Sequence, residues 1–227
     1  MARICVFDVN ETLLDLKALD THFERIFGKA AVREEWFNQL LQSAFVSTVL
    51  NTYIDFGKIG MAALEMVAEK QNVRLSDGDK EIVKNGMQQL PPHPEVKESL
   101  AQLRKAGLRL AALTNSTQKV AQAQLTNAGL SEYFEQILSA DTVQRLKPAS
   151  EPYQMAAKQF GVSVGEVRLI AAHAWDVAGA MRAGCAAAFV ARPGKVLNPL
   201  APRPDVVGSD LREVAAQIIE HEVGSRA

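Results

Sequence analysis

The chain has 227 residues, with 25 Lys and Arg against 26 Asp and Glu, so its formal net charge is −1 at pH 7. Hydrophobic residues make up 48% of it and charged residues 22%, a balance that is typical of globular proteins and excludes wholesale disorder. The neutral balance and the scattered Lys and Arg residues do not favour binding to nucleic acid or to an anionic membrane.

The first apolar run, Ile4–Phe7, predicts a strand that ends at Asp8, and it is too short for a signal peptide or a membrane span. The two cysteines, Cys5 and Cys185, cannot form a disulfide framework in a chain of this length. We therefore expect a cytoplasmic enzyme.

A long segment with helical periodicity follows the first strand. Apolar residues recur one turn apart at Trp36, Leu40, Leu41 and Phe45. No strand pattern interrupts the segment before the prolines that begin at Pro91. We predict an all-helical cap subdomain at residues 16–90, inserted into a core domain formed by residues 1–15 and 91–227.

The rest of the chain alternates between strand and helix patterns. Further strands are predicted at 108–113, 167–172 and 186–190, and helices at 117–128, 149–160 and 177–183. Each of these helices stops at a glycine. After Val196 we expect a loop and then a last helix from Leu211 to about His221. The alternation predicts an α/β fold with a Rossmann-like core on a parallel sheet.

Polar residues cluster where the predicted strands end. They are Asp8, Thr114 and Asn115, Lys147 and Pro148, and His173 and Asp176. In open parallel sheets ligands bind outside the carboxyl ends of the strands, so we expect these residues to converge on one site.

The order of these residues resembles the four motifs of the haloacid dehalogenase superfamily. Asp8 and Thr12 match its first motif, Thr114-Asn115 its second, Lys147-Pro148 its third, and Asp176 with Gly184 its fourth. The helical insert stands where that superfamily has its small cap. Within the superfamily, His173-Ala174-Trp175-Asp176 and the Tyr153 that follows Lys147-Pro148 are most similar to the L-2-haloacid dehalogenases.

The resemblance implies attack by the Asp8 carboxylate on C2 of a short 2-haloalkanoic acid, followed by hydrolysis of the aspartyl ester to a 2-hydroxy acid. It implies that Lys147 keeps Asp8 ionised and that Asp176 orients Lys147 or activates water. The backbone N–H groups of Val9 and Asn10, with Thr114 and Asn115, are expected to bind the substrate carboxylate. The other expected substrate-binding residues are Thr12, Phe37, Tyr153, His173 and Trp175. Thr12 is expected either to bond Asp8 or to cap the next helix. Relatives of this kind are often homodimers.

The alternative is an atypical phosphatase of the same superfamily. Such phosphatases place a second Asp where this chain has Asn10, and a second metal-binding carboxylate where it has Ala172. Because Mg²⁺ prefers carboxylate ligands, we expect no metal and no cofactor.

Four departures from the dehalogenase pattern concern the substrate pocket. Glu11 stands where the family has Gly, and Asn10 where it commonly has Tyr. Phe37 takes the place of the cap Arg that receives the halide or the substrate carboxylate. His173 replaces an Asn, and we expect it either to line a halide site with the Trp175 indole or to bond the backbone.

Overall fold

A computed structural model describes residues 4–222 of the chain. Its centre is a sheet of six parallel strands in the order β3-β2-β1-β4-β5-β6. The strands are β1 Ile4–Phe7, β2 Arg109–Thr114, β3 Gln136–Ser139, β4 Val167–Ala171, β5 Ala186–Val190 and β6 Val206–Gly208. Because all six run in one direction, their carboxyl ends meet at one edge of the sheet, and this edge holds the site described below.

Successive side chains of β1 point to opposite faces of the sheet, and both faces are covered. Cys5 and Phe7 belong to one apolar cluster, and Ile4 and Val6 to another. The helices of the core are α5 Val96–Lys105, α6 Gln118–Asn127, α7 Ser150–Phe160, α8 Ala174–Ala183 and α9 Leu211–Glu222. Helices α5 and α9 contribute to the first cluster, and α7 and α8 to the second, so the core has three layers.

The predicted α/β fold with a parallel sheet and a helical insert is confirmed, but two strands were not predicted. Strand β3 has only four residues and begins with the polar Gln136 at the edge of the sheet. Strand β6 has three residues and lies inside the stretch after Val196 that was expected to be loop. Both are edge strands, too short to produce a readable period in the sequence.

The insert between β1 and α5 contains four α-helices. They are α1 Asp20–Phe27, α2 Val32–Val49, α3 Phe56–Lys70 and α4 Asp77–Gln88. The chain enters and leaves the insert at one point, because the Asp15 N–H donates to the Pro91 carbonyl over 2.8 Å. The Trp36 indole N–H donates to the Gly60 carbonyl over 2.8 Å and joins α2 to α3.

The insert also contacts the core away from this junction. The Tyr53 hydroxyl donates to the Asp141 carboxylate of the core, and the Gln124 amide donates to the Met87 carbonyl over 2.7 Å. These bonds hold the insert against the carboxyl edge of the sheet. Among the helices of residues 4–222, none has the length and apolar character needed to cross a membrane.

Candidate active site

Three buried charged residues form the centre of the site. Asp8 follows β1, and its N–H donates to the Ile170 carbonyl over 3.0 Å. The Lys147 ammonium donates to Asp8 Oδ1 over 2.9 Å, to Asp176 Oδ2 over 2.5 Å and to the Leu113 carbonyl over 3.0 Å. All three ammonium protons therefore have acceptors, and one cation is shared by two carboxylates.

The pKa values of Asp8 and Asp176 shift in opposite directions because their surroundings differ. Burial raises the pKa of Asp8, but the charges of Lys147 and His173 and the hydrogen bonds from Lys147 and Thr12 together outweigh it, so this pKa lies below its usual value. Burial also raises the pKa of Asp176 and there prevails over the charge of Lys147. For Lys147 the two carboxylates outweigh burial and raise the pKa. Asp8 is thus the more acidic group and is available as an anion.

Thr12 fixes the second oxygen of Asp8. Its hydroxyl donates to Asp8 Oδ2 over 2.7 Å and accepts from the Ala172 N–H over 2.9 Å. The alternative, that Thr12 caps the next helix, is wrong, because Asp15 accepts from the Lys17 N–H at that position. Thr12 therefore acts on the substrate only through Asp8.

Two residues predicted to contact the substrate have their polar groups bonded within the charged centre. The Asn115 side chain accepts from the Lys147 N–H over 2.8 Å and donates to the Lys147 carbonyl over 3.3 Å, so both of its polar groups are bonded. The Tyr153 hydroxyl donates to Asp176 Oδ1 over 2.5 Å, and its ring is buried behind that residue. The Val9 side chain is fully buried in the core and does not line the pocket, and the predicted contact from the Val9 backbone N–H stays a prediction.

A narrow pocket lies beside Asp8, between the core and the insert. Its lining consists of Asp8, Asn10, Phe37, Leu41, Phe56, Thr114, Asn115, Lys147, His173 and Trp175. The cavity has a volume of only about 10 Å³, which is room for about one water molecule. The pocket is therefore narrow and suits only a small ligand.

Two lining residues were not predicted. Leu41 lies one turn after Phe37 on α2, and residues four apart on a helix share a face. The predicted position of Phe37 at the pocket could therefore have led to Leu41. Phe56 is the first residue of α3 and has no such signal. Both side chains are apolar and nearly buried, and with Phe37 they form the wall that the insert contributes.

His173 lies between the charged centre and a second acid. Its Nε2 is 3.9 Å from Asp8 Oδ2 and 3.4 Å from Glu11 Oε2. The imidazole stacks on the Trp175 ring with the centroids 5.2 Å apart and lies 6.1 Å from the Phe37 ring. The buried indole N–H of Trp175 has no hydrogen-bond partner, although Trp175 lines the pocket. This donor is a buried polar group next to the pocket whose hydrogen bond the described residues do not provide.

The carboxylate chemistry of the site depends on Asp8 and Asp176. Asn10, where a phosphatase would have its general acid, accepts a hydrogen bond from the Gln124 amide over 3.0 Å and has no ionisable proton. Within residues 4–222, His, Cys, Asp and Glu side chains do not gather in groups of three that could bind a metal ion. The arrangement provides a buried, ionised carboxylate in the wall of a largely apolar pocket.

Comparison with known proteins assigns the chain to a family. A model described as haloacid dehalogenase-like hydrolase matches residues 2–184. The chain belongs to the haloacid dehalogenase-like hydrolase family. The resemblance seen in the sequence is thereby confirmed.

Individual members of the family match along nearly the whole chain. The (S)-2-haloacid dehalogenase of Pseudomonas sp. (strain YL) is 27% identical over 210 residues, which cover 92% of this chain and 90% of that protein. Haloacetate dehalogenase H-2 of Moraxella sp. (strain B) is 27% identical over 201 residues, which cover 88% and 90%. The structure of L-2-haloacid dehalogenase from Xanthobacter autotrophicus with chloropropionic acid covalently bound has a TM-score of 0.90 at 23% identity, covering 98% of this chain and 100% of that one. This last likeness shows the shared fold.

Proposed function

We propose that this chain is a hydrolytic dehalogenase that converts short 2-haloalkanoic acids to 2-hydroxy acids through an ester on Asp8. The observation that supports this most is the setting of Asp8. Its carboxylate is buried, has its pKa lowered and faces a narrow pocket whose other walls are mainly apolar and aromatic. A desolvated carboxylate is a stronger nucleophile toward carbon than a hydrated one. The similar proteins described above are named for action on 2-haloacids or haloacetate, or have chloropropionic acid bound.

The proposed reaction has two steps. An Asp8 oxygen forms a bond to C2 while the bond from C2 to the halogen breaks, and the bonding electron pair leaves with the halide. Water then adds to the Asp8 carboxyl carbon, and the bond between that carbon and the substrate oxygen breaks. The 2-hydroxy acid leaves with the former Asp8 oxygen, the solvent oxygen stays in Asp8, and one proton is released per turnover.

Other residues support this chemistry from their observed positions. Lys147 holds Asp8 as an anion, and Asp176 and Asn115 hold Lys147. The free indole N–H of Trp175 is the donor that we assign to the departing halide. Asn10 and Thr114 line the pocket and are assigned to the substrate carboxylate. The small volume favours acids of two or three carbons.

The phosphatase alternative has less support. A phosphate dianion facing the Asp8 and Asp176 carboxylates needs cations to relieve the repulsion, and Lys147 is already shared by those two groups. A halide needs no general acid to leave, so Asn10 and Ala172 are no obstacle to dehalogenation.

The isotope distribution after one turnover tests the proposal. Enzyme in excess is mixed with chloroacetate in H₂¹⁸O, and the glycolate and the peptide that contains Asp8 are analysed by mass spectrometry. We expect ¹⁸O in the peptide and an unlabelled hydroxyl in glycolate. Label in glycolate alone would contradict the ester. Release of phosphate from small phosphoesters, without halide release from any 2-haloacid, would favour the phosphatase. Asp8→Asn is the control, since its amide is not an anionic nucleophile.

We further propose that residues 16–90 are the cap and that residues 1–15 and 91–227 are the core domain. The four helices and the Asp15–Pro91 hydrogen bond support these limits. We also propose a reducing, cytoplasmic location, because Cys5 and Cys185 are both unpaired, buried thiols.

A further inference from the structure

A fully buried amide side chain connects the insert to the lining of the pocket. Gln124 lies on α6, and its Nε2 donates to the Met87 carbonyl over 2.7 Å and to Asn10 Oδ1 over 3.0 Å. Its Oε1 is buried and has no hydrogen-bond partner among residues 4–222. Because an unpaired buried acceptor lowers stability, the presence of an amide here indicates a use beyond holding the fold together.

The Met87 carbonyl determines which way the Gln124 amide faces. A backbone carbonyl only accepts hydrogen bonds, so the Gln124 group that faces it must be the NH₂ group. The same NH₂ group faces Asn10 and needs a second acceptor there, which is Asn10 Oδ1. The two bonds therefore form a chain through which a main-chain carbonyl fixes the orientation of the Asn10 amide.

This orientation leaves the NH₂ group of Asn10 for a ligand. Asn10 lines the pocket, and its Nδ2 makes no hydrogen bond with residues 4–222. Thr114 lines the same pocket, and its hydroxyl accepts from the Ser116 N–H over 3.2 Å, so the hydroxyl proton is also available. Two donors suit the two oxygens of a carboxylate, whereas the reverse orientation of Asn10 would offer that anion a carbonyl oxygen.

We infer that Gln124 is a positioning residue that presents the Asn10 NH₂ group to the substrate carboxylate. The inference rests on the proposed function, in which Asn10 binds that carboxylate, and adds a residue behind it. Gln124 does not line the pocket, so it acts on the substrate only through Asn10. The carboxylate keeps this contact from the bound substrate to the transition state. Losing the contact therefore raises KM and leaves kcat nearly unchanged.

Acetate, a carboxylate without a leaving group, tests the contact in the absence of turnover. The side-chain amide signals of Asn10 in ¹⁵N NMR spectra are assigned by their absence in Asn10→Ala, and acetate is then titrated into the wild type. We expect these signals to shift as acetate is added, because Nδ2 donates to it. Asn10 signals that stay in place would overturn the inference, and this test needs no variant of Gln124.

Gln124→Met removes both hydrogen bonds and keeps the length of the side chain. We expect acetate to bind about tenfold more weakly and KM for chloroacetate to rise about tenfold, with kcat within about twofold of the wild type. The same change in an Asn10→Ala background should alter neither value, because no amide is left to orient. An unchanged affinity in Gln124→Met, or an equal loss in both backgrounds, would refute the inference. Gln124→Leu repeats the test with a different shape if methionine disturbs the packing.

Asn127→Ala is the matched control on the same helix. The Asn127 amide donates to the Gln88 carbonyl over 2.9 Å, so it also joins α6 to the end of α4, but it has no bond to Asn10. We expect its acetate affinity and KM to equal those of the wild type. A loss as large as that of Gln124→Met would overturn the inference, because it would assign the effect to the junction between the insert and the core.

The outcome is separable from that of the proposed function. A wild type that releases no halide from any 2-haloacid defeats the proposed function. The acetate titrations of wild type, Gln124→Met and Asn127→Ala involve no halide, and they still decide whether Gln124 orients Asn10 toward a carboxylate.

Discussion

Replacing Lys147 by Met should reveal how much the buried cation stabilises the fold. The ammonium makes three hydrogen bonds, two of them to carboxylates that are themselves buried. Methionine has nearly the same length and fills the space, so the change isolates the loss of charge and hydrogen bonds. Removing one partner of a buried ion pair costs about 3–5 kcal/mol because the remaining charge is left uncompensated. We expect a loss of that size in the free energy of unfolding at pH 7.

The loss should depend on pH, with a sign set by the two carboxyl groups. In the wild type the pKa of Asp8 is lowered, so its contribution is present above the unfolded-state pKa of about 3.9 and is lost as the pH falls through the folded-state value. Without Lys147, burial raises the pKa of both Asp8 and Asp176. The folded variant then binds more protons than the unfolded chain, and its stability is lost as the pH rises. Each extra proton changes the stability by at most about 1.4 kcal/mol per pH unit.

Urea unfolding of wild type and variant at about pH 8 and pH 6 measures this effect. We expect the difference between them to shrink by about 2 kcal/mol at the lower pH. Lys84→Met is the control, because Lys84 is 57% exposed and its pair with Glu81 should contribute less than about 1 kcal/mol at either pH. An equal loss for Lys147→Met at both pH values would refute the idea that uncompensated carboxylates cause it.

Three more predictions concern the pocket. Trp175→Phe removes the unused indole donor and should slow halide release by about 10- to 100-fold with little effect on ester hydrolysis, as pre-steady-state kinetics will show. An equal slowing of both steps would contradict the assignment of that donor. Thr12→Val leaves Asp8 Oδ2 and the Ala172 N–H without the Thr12 hydroxyl as a partner. It should lower the free energy of unfolding by about 2 kcal/mol, as measured by urea unfolding, and an unchanged unfolding midpoint would contradict this prediction. Dehalogenase activity should survive exhaustive EDTA treatment, whereas a loss that Mg²⁺ restores would contradict the metal-free mechanism.

The sequence by itself was enough to predict the position of the charged centre. Asp8 and Asp176 lie close to the carboxyl ends of buried strands, and parallel strands bring those ends to one edge wherever the intervening chain goes. The helical insert could also be predicted, because apolar residues recur at helical spacing in this segment and no strand pattern interrupts it. Both features follow from the pattern of neighbouring residues, which can be read directly from the sequence.

Only the tertiary structure decided which side chains face the pocket and which support it. Asn115 and Tyr153 have the residue types of substrate contacts, yet their polar groups are bonded to Lys147 and Asp176, and of the two only Asn115 lines the pocket. Phe56 reaches the pocket only because α3 packs where it does, and Glu11 meets His173 only because the first motif and β4 are adjacent. The direction of a side chain and its distant partners follow from how the elements pack, and a single sequence does not encode that packing in any local period.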